Sequence, residues 1–189
     1  MSKTVELLKK YQPYNEQEAK DVEYIIKAEE IMGDILNRTN MFCHLSSSAF
    51  IINPQKTKVL CIFHNIYKSW TWVGGHADGD DDMLYVAKKE TMEETSLKNF
   101  KVLSEEPISV DVLTVNSHYK RGVYVPAHVH LDLAYLFEAE ENENVHILED
   151  ENSGIGWLTF EDLIERAAVV DKQMVPVFKK IVERINLMK

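Results

Sequence analysis

Residues 74–97 read GGHADGDDDMLYVAKKETMEETSL, and the reading of this stretch decides the rest. A glycine pair, Gly74 and Gly75, closes the aromatic run Trp70-Thr71-Trp72-Val73. An acidic loop follows from Asp78 to Asp82, and the pattern then predicts a helix over Met83 to Thr95. Asp80, Asp81 and Asp82 stand where carboxylates favour a helix N-terminus. At about 100° per residue, Met83, Val86, Ala87 and Leu97 share one side of that helix. Glu90, Glu93 and Glu94 fall on the same side, within an arc of roughly 100°. Carboxylates at i, i+3 and i+4 repel one another, and partial burial raises the cost of their charge. Two readings are open. The acidic face is simply solvated, or a divalent cation resolves the repulsion. Mg²⁺ takes oxygen ligands and completes its shell with water and substrate phosphate.

The same residues resemble the Nudix box, G-x5-E-x7-R-E-U-x-E-E-x-G-U, in which U is a bulky apolar residue. Gly75 takes the first glycine, Asp81 the first acid, Lys89 and Glu90 the Arg-Glu pair, and Glu93 and Glu94 the double glutamate. Ser96 and Leu97 take the last glycine and the last apolar position, so every spacing is intact. The departures are Asp81 for Glu, Lys89 for Arg, Thr91 for a large apolar residue and Ser96 for Gly. Lysine keeps the charge of arginine but loses its bidentate fork. Serine is mildly unfavourable where glycine eases a helix exit.

The resemblance implies an α/β fold, the Nudix-type α/β/α sandwich with a mixed sheet. It implies hydrolysis of a diphosphate linkage in a nucleoside diphosphate joined to another moiety, with Mg²⁺, or alternatively Mn²⁺, as cofactor. Glu90, Glu93 and Glu94 would hold the metal. Glu93 would be a third ligand or the base that takes the proton of water, and Glu94 would be catalytic. Lys89 would orient a glutamate by ion pairing. In this family the base can also come from a loop outside the box, for which Glu149 and Glu151 are the candidates here.

Composition sets the outer bounds. The chain has 189 residues, 45% apolar and 28% charged, with a net charge of −10. That length suits one good core with an appendage. The acidic balance argues against a nucleic-acid backbone as partner, since such proteins carry a basic patch. Nucleotides remain open, because bound metal screens their phosphates. Cys43 and Cys61 fall in predicted strands and read as reduced core thiols. The start, MSKTVELLKK, shows no secretory pattern, and no apolar run reaches the roughly 18 residues of a membrane span. The expectation is a cytoplasmic protein with no membrane partner.

Outward from the box, the N-terminal 40 residues predict two helices. The first covers residues 3–10 and is broken by Pro13. The second opens on Asn15, with Glu18 three residues on, and carries its apolar stripe to about Leu36. Residues 1–40 are expected as a helical extension packed on a Nudix domain of residues 41–189. A dimer arm or substrate lid is the functional reading, so a homodimer stays open. A helical pair on the domain's flank is the other. His44 to Asn53 and Lys58 to His64 predict strands joined by the turn Asn53-Pro54-Gln55-Lys56. Ser69 to Val73 predicts a third.

After the box helix, Ile108 to Val115 predicts a strand, His118 to Val125 a turn-rich loop, and Ala127 to Glu138 a strand. On the last of these, His128, His130 and Asp132 share one face and Val129, Leu131 and Leu133 the other. Gly154 to Leu158 predicts a short strand, and Thr159 caps a helix that breaks near Val170. A final helix runs from about Gln173 to Leu187, with Pro176 in its first turn.

Substrate contacts are sought among polar groups near the box: Gly75, His76, Arg121 of the basic pair Lys120-Arg121, His128 and His130. Each also has a bland reading as loop filler or solvated strand face. Trp70, Trp72, Tyr124 and His128 could stack on a base, although aromatics in strands more often belong to a core. The partner implied is a small-molecule nucleotide or other diphosphate. Two other functions stay open, a catalytically silent Nudix-like nucleotide-binding module and a prenyl-diphosphate isomerase. The second needs a catalytic cysteine, and neither cysteine sits in a comparable motif.

Overall fold

The strand Cys43–Ile52 (β1) is buried along all ten of its residues. In the computed structural model, which describes residues 2–147 and 152–188, the rest of the sheet is assembled around it. On one side β1 runs parallel to β9 (His128–Glu138), in register from Cys43 opposite Val129 to Ile52 opposite Glu138. Its other side is divided. Ile51 and Ile52 pair with β2 (Lys58–His64), and Ser46 to Ala49 pair with β4 (Val73–His76), both antiparallel. β2 also carries β3 (Ser69–Thr71) and β10 (Asn152–Thr159), while β9 carries β5 (Lys101–Val102) and β6 (Ser109–Val115). The product is a mixed sheet of eight strands.

Helices cover both faces, which explains why the central strands lack a clean polar face. Leu45, Ala49 and Ile51 point into a core shared with α1 (Lys3–Leu8), α2 (Glu16–Met32) and the box helix α3 (Met83–Thr95). Phe50 and Ile52 point into a second core closed by α4 (Phe160–Val170) and α5 (Met174–Leu187). Both cysteines are buried and free, one in each core. The serines of β1 are buried with partners. Ser47 Oγ lies 2.6 Å from the carbonyl of Met83 and 3.0 Å from that of Leu133. Ser46 and Ser48 donate to Asp132.

β6 is an edge strand, and its outward amides would invite pairing with another chain. Side chains take them instead. Val110 N–H donates to Glu18, Val112 N–H to Asp21, and Thr114 N–H to Gln173. The first two acceptors come from α2, so the N-terminal helix serves as a polar cover for the sheet edge as well as an apolar one. Behind it lies a buried ionic cluster. Lys180 Nζ is 2.8 Å from Asp111 and 3.2 Å from Glu18, and Arg184 reaches Glu18 at 3.4 Å.

Local signals act largely as read. Asn15 caps α2 through the Glu18 amide, Asp82 caps α3 through Tyr85, and Thr159 caps α4 through Asp162. Four details differ. α2 stops at Met32 because Gly33 takes φ 75°, so Ile35 and Leu36 lie beyond the helix. Residues 69–73 divide into β3 and the start of β4. The stretch 118–125 is a hairpin of β7 (His118–Lys120) and β8 (Val123–Val125), turned by Arg121 and Gly122 at positive φ. The two-residue strand β5 has no counterpart in the sequence reading. No helix among the described residues is long and apolar enough to cross a membrane.

Candidate active site

Two adjacent glycines set the geometry, each for a different reason. A Cβ on Gly74 would lie 2.5 Å from Ser48 Oγ and 2.8 Å from the Ser47 carbonyl, so this glycine lets β4 seat against β1. A Cβ on Gly75 would lie 2.3 Å from the Glu90 carboxyl. Its absence clears the place where that carboxylate rests. α3 packs under β4 through Met83, Val86 and Ala87, and this apolar contact aims its glutamates at the strand.

Glu94 is the most constrained of the three. It is 6% exposed, Gly74 N–H donates to its Oε2 at 3.0 Å, and Asn152 Nδ2 donates to its Oε1 at 3.1 Å. Glu90 is half-buried, with Lys89 Nζ 3.3 Å from its Oε1. Burial raises the Glu90 pKa, Lys89 opposes the rise, and Glu93 and Asp78 add to it. Glu93 is exposed at its own position, yet it joins Glu90 and Glu94 in the wall of one cavity of about 270 Å³.

The departures from the box find local explanations. Asp81 faces away from the glutamates: its carboxylate accepts from the Lys3 and Thr4 amides and from Thr4 Oγ1, capping α1. Thr91 is buried and its hydroxyl donates to the Ala87 carbonyl at 2.8 Å. Ser96 ends α3 in the left-handed region, φ 57°, with its amide bonded to Met92 O.

The far wall comes from β9. His130 and Asp132 line the same cavity as the glutamates, and His128 sits with His130 in an adjoining cavity of about 250 Å³. His76 and His130 border both cavities. Burial first, and His130 next, push the His76 pKa down to about 2. Burial first, and His44 next, push His130 to about 3. Both rings are therefore neutral at physiological pH. Asp132 is fully enclosed. Burial raises its pKa to about 7 against the hydrogen bonds from Ser46 and Ser48, and its Oδ2 has no partner.

Other residues fall outside these walls. Arg121 occupies the exposed tip of the β7–β8 hairpin, and its neighbour Lys120 lines the cavities instead. Tyr124 packs on Tyr119 in that hairpin. Trp70 packs edge-on against Phe63, and Trp72 is mostly buried against Phe178 while touching the cavity. Neither cysteine lines either of these two cavities. Glu149 and Glu151 lie outside the described residues.

Three participants were not singled out from sequence. Asn152 holds Glu94. Arg38, from the N-terminal segment, borders both cavities and forms a two-point ion pair with Asp78 at 2.6 and 2.7 Å. His44 approaches His130 because β1 and β9 run in register. Only the last had a signal, one more histidine at the start of a predicted strand.

The family model of the NUDIX domain matches residues 44–178, most of the chain and all of the site residues just described except Arg38. The chain belongs to the Nudix family. It is thereby placed among hydrolases of phosphorus-containing anhydrides. Similar solved structures include an Ap4A hydrolase of C. elegans in a binary complex, 18% identical with TM-score 0.57, covering 75% of this chain and 97% of that one. A Nudix-family hydrolase of Clostridium perfringens is 20% identical with TM-score 0.56 and the same coverages. The E. coli dihydroneopterin triphosphate pyrophosphohydrolase is 14% identical with TM-score 0.53, covering 74% and 95%. At these identities the likeness is one of fold. No curated protein matches the chain by sequence.

The donor set suits the metal expected of a Nudix box. Three carboxylates converge beside a glycine cradle that a single Cβ would fill, and hard oxygen donors are what Mg²⁺ and Mn²⁺ take.

Proposed function

We propose that this Nudix protein hydrolyses the diphosphate linkage of a nucleoside diphosphate joined to another moiety, with Mg²⁺, or alternatively Mn²⁺, held by Glu90, Glu93 and Glu94. The observation that carries the reading is the fixing of Glu94 by Gly74 N–H and Asn152, next to a Glu90 that rests where only glycine leaves room. Two carboxylates so confined, with a third beside them, repel unless a cation joins them.

The bound metal would supply charge neutralisation at the phosphates and a more acidic water. The chain's own residues do the rest. Glu94, anchored at both oxygens, sets the geometry of the site. Lys89 is a positioning residue, since its ammonium orients Glu90 and does not border the cavity. Glu93, less constrained than its neighbours, is free to take the proton of the attacking water, and Glu151 is the alternative base. His76, His128 and His130 form the substrate end of the cavity, with Lys120 as a cation for a phosphate, while Arg121 stays at the exposed hairpin tip. Neutral rings there favour hydrogen bonding or stacking on a base.

Although Asp81 turns to α1, Glu90, Glu93 and Glu94 all stay in the cavity wall, which supports an enzyme over a silent binding module. Neither cysteine lines these two cavities, which disfavours the isomerase. The test is hydrolysis of a panel of nucleotide diphosphates by wild-type and Glu94→Gln protein with Mg²⁺ or Mn²⁺. The variant should lose turnover by orders of magnitude while remaining folded.

A further inference from the structure

The histidines of this chain are gathered, and the gathering comes from three separate strands. His44 begins β1, His76 ends β4, and His130 lies on β9. Parallel register sets His44 directly beside His130, and β4 pairs with β1 so that His76 lies opposite Ser46. The three ring centroids are 4.8 to 5.1 Å apart. One ring nitrogen from each falls within 4.8 Å of the others.

Their orientation is that of ligands. His44 Nδ1 faces the Asn40 carbonyl at 3.2 Å, which turns its Nε2 inward. That Nε2 is buried with no hydrogen-bond partner, on a residue only 4% exposed. His128, stacked on His44, faces the Pro126 carbonyl through Nδ1 at 2.9 Å and turns its own Nε2 to His130. A backbone carbonyl on the outer nitrogen is how metal-ligating histidines are commonly oriented, because it sets the tautomer that leaves the inner nitrogen a lone pair. His76 Nε2 and His130 Nε2 are 3.2 Å apart. Two imidazoles on a tetrahedral ion at about 2.0–2.1 Å are separated by about 3.3–3.4 Å. The pair is therefore at ligand spacing before any ion is considered.

We propose that His44, His76 and His130 form a second metal site for a divalent transition ion of the zinc type, chemically distinct from the carboxylate site. Imidazole nitrogen suits Zn²⁺, Co²⁺ or Ni²⁺ and is a poor match for Mg²⁺. His76 and His130 border the glutamate cavity as well, so the two sites adjoin, and they select different ions through their donors, imidazole nitrogen against carboxylate oxygen. Three protein ligands leave a fourth position. His128 stands beside it, and a substrate phosphate oxygen or water is the other occupant. The cationic neighbours do not forbid an ion here, since the nearest guanidinium, Arg38, is paired with Asp78. The site does not depend on the carboxylate metal site, because none of its ligands is a box glutamate; His76 and His130 would then meet substrate through the bound ion.

The experiment is Co²⁺ titration of the chelator-stripped full-length protein in excess Mg²⁺, followed by its visible absorption, with Zn²⁺ competition by calorimetry. The expected result is saturation at one equivalent, an intense band of four-coordinate Co²⁺, and displacement by Zn²⁺. His44→Gln and His130→Gln should each weaken Co²⁺ binding at least tenfold. Glu94→Gln should leave the spectrum unchanged, which separates this site from the carboxylate site. Wild-type protein that shows no saturable Co²⁺ binding in Mg²⁺ overturns the proposal, and that result needs no variant to fold. So does a folded His130→Gln protein that binds Co²⁺ as tightly as wild type, or a band that vanishes in Glu94→Gln.

Discussion

Two polar regions of this molecule behave in opposite ways. Behind the N-terminal helix, Glu18 and Asp111 meet Lys180 and Arg184, two carboxylates against two cations, and Tyr11 and Gln17 complete the set. Across the sheet, Glu90, Glu93 and Glu94 have Lys89 as the cation paired among them. Four buried side-chain atoms among the described residues have no hydrogen-bond partner. Asp132 Oδ2 and Asn152 Oδ1 lie beside the carboxylates, and His44 Nε2 lies in the adjoining histidine compartment. None belongs to the first region. A buried charge that is matched holds structure together, whereas one left over marks where something from outside is to be bound. The contrast teaches more than the number of charges, which is high in both places.

The largest effect should come from removing the N-terminal share of the first region. Deleting residues 1–40 uncovers the β6 edge, strips Glu18 from Lys180 and opens the apolar surface under α1 and α2. The expected outcome is aggregated or unfolded protein on gel filtration. A monodisperse, equally stable truncation would show that the extension is an independent arm. A smaller cut at the same place is Lys180→Met, which leaves Asp111 buried without its cation and Glu18 with Arg184 alone. Breaking such a cluster costs about 3–5 kcal/mol, to be read as a lowered urea midpoint.

The second region should respond in activity before stability. Gly75→Ala places a methyl against the end of the Glu90 side chain, which can swing aside. The fold should survive, and turnover should fall about 10- to 100-fold as the carboxylate is displaced. Equal losses of stability and turnover would mean that Gly75 serves the strand and not the site. The smallest effect expected is Ser96→Gly. It relieves a left-handed residue at the end of α3 and should stabilise by up to about 1 kcal/mol with turnover unchanged.

Much of this architecture was legible because its signals are local. The box helix runs from Met83 to Thr95 and β2 from Lys58 to His64, as the pattern predicts, since each is bounded by caps and turns a few residues away. The glutamate side of α3 could be read from periodicity alone. The rest depends on pairing between distant segments. Neither the parallel match of His44 with His130 nor the approach of Lys180 to Glu18 leaves a mark within a short window. The β7–β8 hairpin is exposed on its Tyr119 and Tyr124 positions, so it lacks the apolar alternation that reveals a strand, although its Arg121-Gly122 turn was there to see. Asp81 matched the box by spacing, yet it bonds to α1, because the N-terminal extension competes for the same carboxylate.

The central proposal is that Glu90, Glu93 and Glu94 hold a cation on which diphosphate hydrolysis depends. The most direct measurement is phosphorus NMR of the products formed from a nucleotide-diphosphate panel by wild-type and Glu94→Gln protein, each with Mg²⁺ and with chelator. Cleavage between phosphorus atoms should occur for wild type with Mg²⁺, stop with chelator, and fall by orders of magnitude in a Glu94→Gln protein that unfolds at the wild-type temperature or above. Cleavage that persists in chelator, or a folded Glu94→Gln protein as active as wild type, would contradict it.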